Sequence, residues 1–142
     1  MKSSKKLIDM LTRHEGRRTH PYTCPSGKLT IGVGHNIEDN GLSDKVIGLI
    51  LKEDIGNAIK DLCSIFPNFY RDGEARRCAL IDMIFNMGKP TFRSFSNMIY
   101  MIRIADWIEA SHEALDSKWA EQVGDRADEI AFMLRTNTFK EE

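Results

Sequence analysis

Apolar positions along the chain fall at helical spacing almost everywhere, with one short interruption that alternates. Residues 4–14 put Leu7, Ile8 and Leu11 on one face, with Ser3 or Ser4 placed to cap the start and Gly16 just beyond Glu15. LTIGVGH (29–35) alternates as a strand does, and SGK (26–28) reads as a turn into it. Gly32 and Gly34 weaken that strand but allow close approach of another backbone or a ligand. Ser43 is placed to cap a helix from about Asp44 to Cys63, with Val46, Ile47, Ile50, Leu51, Ile55, Ile59 and Leu62 along its apolar side and Pro67 closing the run. EARRCALIDMIFNMGKP (74–90) is apolar almost all round from Ala79 to Met87, then stops at Gly88 and Pro90, which predicts a buried central helix.

Three or four shorter amphipathic helices follow. One carries Phe92, Phe95, Met98, Ile99 and Ile102, and another Trp107, Ile108, Ala110 and Leu115. A third follows Gly124 with Ala127, Ile130, Ala131, Met133 and Leu134. Met83, Met87, Met98 and Met101 read as core filler. The sum is an α+β fold: a small N-terminal lobe with a short β-hairpin, a long connecting helix and an all-helical C-terminal lobe. The expectation is one domain over residues 1–142, its small lobe at about 15–60 and its helical lobe built from about 1–14 and 61–142.

Composition narrows the function classes. With 42% hydrophobic and 29% charged residues, the 142-residue chain has the make-up of a globular domain with room for a core. It holds no run of 18 apolar residues, so no membrane-spanning helix is expected, and its N-terminus lacks the apolar stretch of a signal peptide. That predicts residence in the cytoplasm. Cys24, Cys63 and Cys78 are odd in number and lack CxxC or Cys/His spacing, which predicts neither a disulfide framework nor a metal site, and no cofactor. Cys78 lies in an apolar stretch as a small hydrophobe, whereas Cys24 stands in a polar turn beside Pro25 and Gly27. Residues 1–37 carry a net charge of +5 against −6 for the rest, which suits either a polyanionic surface or an ordinary solvated face.

Chemistry concentrates in EGRRTHPYTCPSGKLTIGVGH (15–35). Eight residues separate Glu15 from Cys24, and five separate Cys24 from Thr30. Glu15 closes the first helix, where the negative end of the helix dipole and partial desolvation both favour its protonated form, as a glycosidase general acid requires. Cys24 offers a nucleophile or an acceptor, and Thr30 a hydroxyl able to hold water. Taken singly, each is ordinary: a surface Glu, an incidental thiol, a β-branched strand residue.

The order Glu, eight residues, Cys, five residues, Thr within EG…Y…C…G…TIGVGH resembles the phage-type lysozymes, the muramidases of glycoside hydrolase family 24. That family's triad is Glu, Asp or Cys, and Thr at this spacing. RRCALIDMIFNMG (76–88) resembles the long central helix of the T4-like branch, FSNMI (95–99) the helix after it, and SKWAEQVGDRADEI with LRTNTF (117–139) its C-terminal segment. Only 18 residues separate His35 from Asp54, fewer than in the T4-like members, so the small lobe is expected to be trimmed.

The resemblance implies hydrolysis of the β-1,4 bond between N-acetylmuramic acid and N-acetylglucosamine in peptidoglycan, with inversion favoured and retention left open by the sequence. Glu15 would act as general acid, with Cys24 and Thr30 positioning water, or with Cys24 interacting directly with the reacting carbon of the sugar. A neutral thiol at 24 would supply little charge and leave more of the work to water positioning. Arg126 matches an arginine that approaches the catalytic Glu in this family, and His35 with Asp54 a structural ion pair between strand and helix. Asn86, Phe85 and Arg126 are the candidate substrate-binding residues: Asn86 and Phe85 fall where the central helix would meet the cleft and Asn86 suits an N-acetyl group, although the apolar stripe around Phe85 by itself favours core packing.

The implied partners are peptidoglycan strands, with no nucleic acid and no stable membrane insertion, for a monomer released from the host cytoplasm by a holin. Two alternatives stand beside hydrolysis. In a lytic transglycosylase Glu15 would work largely alone, against which the Thr30 hydroxyl argues for a positioned water. A non-catalytic glycan- or partner-binding member would have no need to keep the Glu15 and Thr30 spacing.

Overall fold

The structure is a computed structural model that describes residue 2 and residues 4–141. Among these, nine α-helices accompany one three-stranded antiparallel sheet, an α+β architecture. The chain divides into two compact units, Met1–Leu49 and Ile50–Glu142.

The first unit opens with α1 (Lys5–Glu15). Ser4 caps it, its hydroxyl accepting from Leu7 N–H at 3.1 Å, while the alternative cap Ser3 lies outside the described residues. Gly16 ends it at φ +77, where its N–H reaches Thr12 O at 2.9 Å, so Glu15 is the last helical residue. Strand β1 (Arg18–Thr23) pairs with β2 (Leu29–Gly32), which pairs with β3 (His35–Asn36), in the order β1-β2-β3. LTIGVGH is therefore strand, turn and strand rather than one strand. Gly32 and Gly34 both take positive φ (+69 and +66), which reverses the chain where alternation alone reads as continuous. A short α2 (Ile37–Asn40) follows, and Lys28 Nζ holds it to the hairpin through Asp39 at 3.2 Å and Glu38 at 3.5 Å.

Helix α3 (Asp44–Ile65) starts in this unit and runs into the second, with the Ser43 hydroxyl accepting from Val46 N–H at 3.3 Å. Its apolar stripe is only partly used. Ala58, Leu62 and Ile65 are buried, while Val46, Ile47, Ile50, Leu51 and Ile59 remain exposed. Burial starts where α3 reaches the hydrophobic cluster of the second unit and is absent before it.

In the second unit, a 3₁₀ turn (Phe69–Arg71) leads into α4 (Glu74–Met87), which buries Ala75, Ala79, Leu80, Met83 and Ile84 and ends at Gly88. The segment expected as one helix around Phe92–Ile102 is two, α5 (Lys89–Arg93) and α6 (Ser96–Arg103), broken at Ser94 and Phe95. Then come α7 (Trp107–Leu115), α8 (Lys118–Val123) and α9 (Asp125–Thr136). Every apolar residue assigned to α9 from its spacing is buried. On α7 the expected face holds at Ala110 but not at Ile108, which is 55% exposed. Helix α8 has no counterpart in the periodicity reading, because six residues are too few to display a period. Met83 and Met98 are fully enclosed, and Met87, Met101 and Cys78 pack partly buried against the same core. No helix among the described residues is long and apolar enough to cross a membrane.

Candidate active site

Glu15, Cys24 and Thr30 all lie in the first unit, on one helix end and one hairpin. Because α1 stops at Gly16, the Glu15 side chain is free to turn toward the β2–β3 connection. It lies so close to Gly34 that a Cβ there would stand 2.9 Å from Glu15 Oε2 and 3.0 Å from Cδ. Gly34 suits its φ of +66, and any Cβ there would also push the flexible Glu15 side chain aside.

Cys24 directly follows β1. Its N–H donates to Lys28 O at 2.9 Å and its own carbonyl accepts from Gly27 N–H at 2.8 Å, closing the turn that joins β1 to β2. The thiol sits 2.9 Å from the Ser26 hydroxyl. That contact, followed by the Lys28 backbone and the Thr30 hydroxyl, favours the thiolate and lowers the Cys24 pKa from 9.0 to about 7, against a small opposing effect of burial. At that pKa the thiol is close to half ionised near neutral pH.

Thr30 occupies the middle strand, paired with Tyr22 on one side and Asn36 on the other, and is only 3% exposed. Its hydroxyl donates to Lys28 O at 2.9 Å. The Lys28 carbonyl therefore receives both the Cys24 N–H and the Thr30 O–H, fixing the two residues to one atom. Thr30 Oγ1 shares its single proton between the Lys28 carbonyl and the Cys24 sulfur and keeps lone pairs for a donor such as water, while the Ser26 hydroxyl is the main support of the thiolate.

Of the other candidates, His35 belongs to the first unit and Asp54, Phe85, Asn86 and Arg126 to the second. His35 Nε2 approaches Gly41 O at 2.6 Å within the first unit, whereas Asp54 stands on the second-unit part of α3. Arg126, on α9, donates through Nε to Asp82 Oδ1 on α4 at 2.8 Å. Phe85 is 44% exposed rather than packed in the core, and lines a groove with Ile84 and the α3 residues Asp54, Asn57, Ala58 and Asp61. The stripe through α4 misleads at this position because α4 is apolar on more sides than its neighbours cover. Asn86 accepts the indole N–H of Trp119 at 2.8 Å and lines a cavity of about 640 Å³ with residues of α5, α6, α7 and α8.

Residues that the spacing did not single out also shape these sites. Ser26 sets the charge of Cys24, Asp82 holds Arg126, and Trp119 holds Asn86. Only Gly34 left a signal, as a glycine inside an apparent strand. Among the described residues no three His, Cys, Asp or Glu side chains gather closely enough to hold a metal ion.

Comparison with known proteins places the chain. A probable T4-type lysozyme 2 of Dictyostelium discoideum is 28% identical over 165 residues, covering 95% of this chain and 96% of that protein. An endolysin of Acyrthosiphon pisum secondary endosymbiont phage 1 is 28% identical over 130 residues, covering 85% and 82%. The pre-baseplate central spike protein Gp5 of Enterobacteria phage T4 is 25% identical over 162 residues, covering 94% of this chain and 28% of the spike protein. The phage lysozyme family model matches residues 12–132, which include Glu15, Cys24 and Thr30, and the chain belongs to the phage lysozyme family.

Proposed function

We propose that the protein is an endolysin, a muramidase that hydrolyses the β-1,4 bond between N-acetylmuramic acid and N-acetylglucosamine in peptidoglycan. The observation that carries this reading is the coincidence of family membership over residues 12–132 with a carboxyl, an ionisable thiol and a buried hydroxyl on one helix end and hairpin. The printed names of the relatives, lysozyme and endolysin, support the same class.

In this mechanism Glu15 gives its proton to the leaving glycosidic oxygen as the bond to the anomeric carbon breaks. Positive charge grows on the sugar ring, and the Cys24 thiolate is the nearby anion suited to stabilise it. A water oriented by the free lone pairs of Thr30 attacks the anomeric carbon from the opposite face. Its proton passes to the Cys24 sulfur, and both groups regain their starting states by exchange with solvent. The product is a reducing end of inverted configuration. Asn86 and Phe85 contribute to holding the glycan, and Arg126 to the electrostatics around it. Delivery to the wall from the host cytoplasm through a holin-made lesion belongs to the same proposal.

The test is mass analysis of peptidoglycan digested in heavy-oxygen water. Labelled reducing ends, lost on Glu15→Gln, are the expected result. Anhydro-ended products would make the enzyme a lytic transglycosylase. Glycan binding without turnover, unaffected by Glu15→Gln, would leave a non-catalytic member of the family.

A further inference from the structure

We infer that a groove on the second unit, between the end of α3 and helices α5 and α6, is a phosphate-binding site held by Arg93 and Arg103. It contains none of the residues given a catalytic role, and it shares only Ser96 with the cavity beside Asn86.

The sequence supplies the first observation. Residues 83–105 hold Lys89, Arg93 and Arg103 but no Asp or Glu, in a chain with 21 acidic residues. A stretch of one sign attracts counter-ions of the other. The fold then gathers two of those three cations. Arg93 is the last residue of α5 and Arg103 the last of α6, and both line a groove of about 270 Å³ with Ser64, Ile65, Ser96 and Ile99. No carboxylate lines it, and among the described residues neither arginine has an ion-pair partner.

One side of the groove is already fixed. A terminal nitrogen of Arg103 donates to Ile65 O at 3.1 Å. Ile65 ends α3, so its carbonyl has no intrahelical donor and is free to hold the guanidinium. That tether uses one of five N–H groups and leaves the others for a ligand. Arg93 is exposed and brings a second fork. Ser64 gives its hydroxyl proton to Asp61 O at 2.6 Å, so Ser96 is the neutral side-chain donor. Ile65 and Ile99 are buried and form an apolar wall, against which charge attraction is stronger than in open water.

This donor set selects among anions. A carboxylate has two oxygens, fills one fork and leaves the second cation unanswered. A phosphate group has enough acceptor oxygens to meet both forks and the hydroxyl together.

The experiment titrates the purified full chain with inorganic phosphate at constant ionic strength, following the Nε–H signals of Arg93 and Arg103 by NMR. Acetate is the comparison anion. The expected result is saturable binding on the order of 1 mM, with acetate about tenfold weaker. Arg93→Gln should weaken phosphate about tenfold while leaving peptidoglycan turnover in phosphate-free buffer unchanged. Arg103→Lys should recover only part of what Arg103→Gln loses, because lysine lacks the fork. Shifts that never saturate, equal affinity for acetate, or full affinity in Arg93→Gln would overturn the inference.

A second arm identifies the source of the phosphate, using flotation with phosphatidylglycerol vesicles. Vesicle binding that Arg93→Gln abolishes and free phosphate displaces assigns the groove to a lipid headgroup. Saturable binding of free phosphate, with no vesicle binding that depends on Arg93, assigns it to a soluble phosphate.

Discussion

The side chain of Glu15 lies over Gly34, so that a side chain at position 34 would have to displace it. A Cβ at position 34 would come within 2.9 Å of Oε2 and 3.1 Å of Cγ. Gly34→Ala therefore has two separable effects. The positive φ of 66 strains any L-residue, by about 1–2 kcal/mol. The flexible Glu15 side chain can retreat, but only by moving the proton donor. A displacement near 1 Å in a positioned group costs roughly 10²-fold in rate. The variant should melt only modestly earlier yet lose about 10²-fold in kcat on peptidoglycan; a melt that shifts while kcat holds would mean Gly34 supports the turn and not the acid.

Cys24 should titrate near neutrality. Its pKa stands at about 7, chiefly through the Ser26 hydroxyl, so thiolate-selective alkylation should be half-maximal near pH 7. Cys63, exposed on α3, serves as the internal comparison. Ser26→Ala should move the midpoint upward. For stability the sign follows from a folded pKa lowered below the ordinary 9.0: the contribution is present at high pH and is lost as pH falls through about 7. If turnover depends on the thiolate, the rate rises through the same pH, and Cys24→Asp should shift that limb well to acid.

Part of this site was legible in the sequence for a plain physical reason. Helix stops and turns are written in single residues, so Gly16 after Glu15 and the turn before β2 could be read directly. The reading failed where two signals share one pattern. In LTIGVGH, alternation and glycine coexist, and only the positive φ values show that the glycines reverse the chain. Phe85 belongs to an apolar run but faces outward, because periodicity reports a face and not what covers it. The pairs Trp119 with Asn86 and Arg126 with Asp82 join residues 33 and 44 positions apart, a distance across which spacing carries no information.

Burial should decide which apolar positions matter to stability. Leu80 on α4 is fully enclosed, whereas Ile108 on α7 is 55% exposed although both sit at apolar positions of their helices. Leu80→Ala removes packed methyl groups and opens a cavity, which costs about 2–5 kcal/mol. Ile108→Ala should stay within about 0.5 kcal/mol. Denaturant melts of the two variants check this, and similar losses would show that the face of α7 carrying Ile108 is packed in solution.

Arg76 offers the last test, because its charge and its shape can be separated. It sits on α4, yet its Nε donates to Leu134 O at 2.7 Å and a terminal nitrogen to Arg135 O at 3.2 Å. Those carbonyls lie in the last turn of α9, where no intrahelical donor remains, so the guanidinium caps a helix from outside. It also lies 4.6 Å over the Trp107 ring. Lysine would keep the positive charge favoured at a helix C-terminus but cannot offer the planar fork to two carbonyls while stacking on an indole. Arg76→Lys should therefore lose most of what Arg76→Ala loses, about 1.5–3 kcal/mol in a denaturant melt for the alanine variant. Near-complete rescue by lysine would instead assign the effect to charge at the end of α9 and remove the fork geometry from the account.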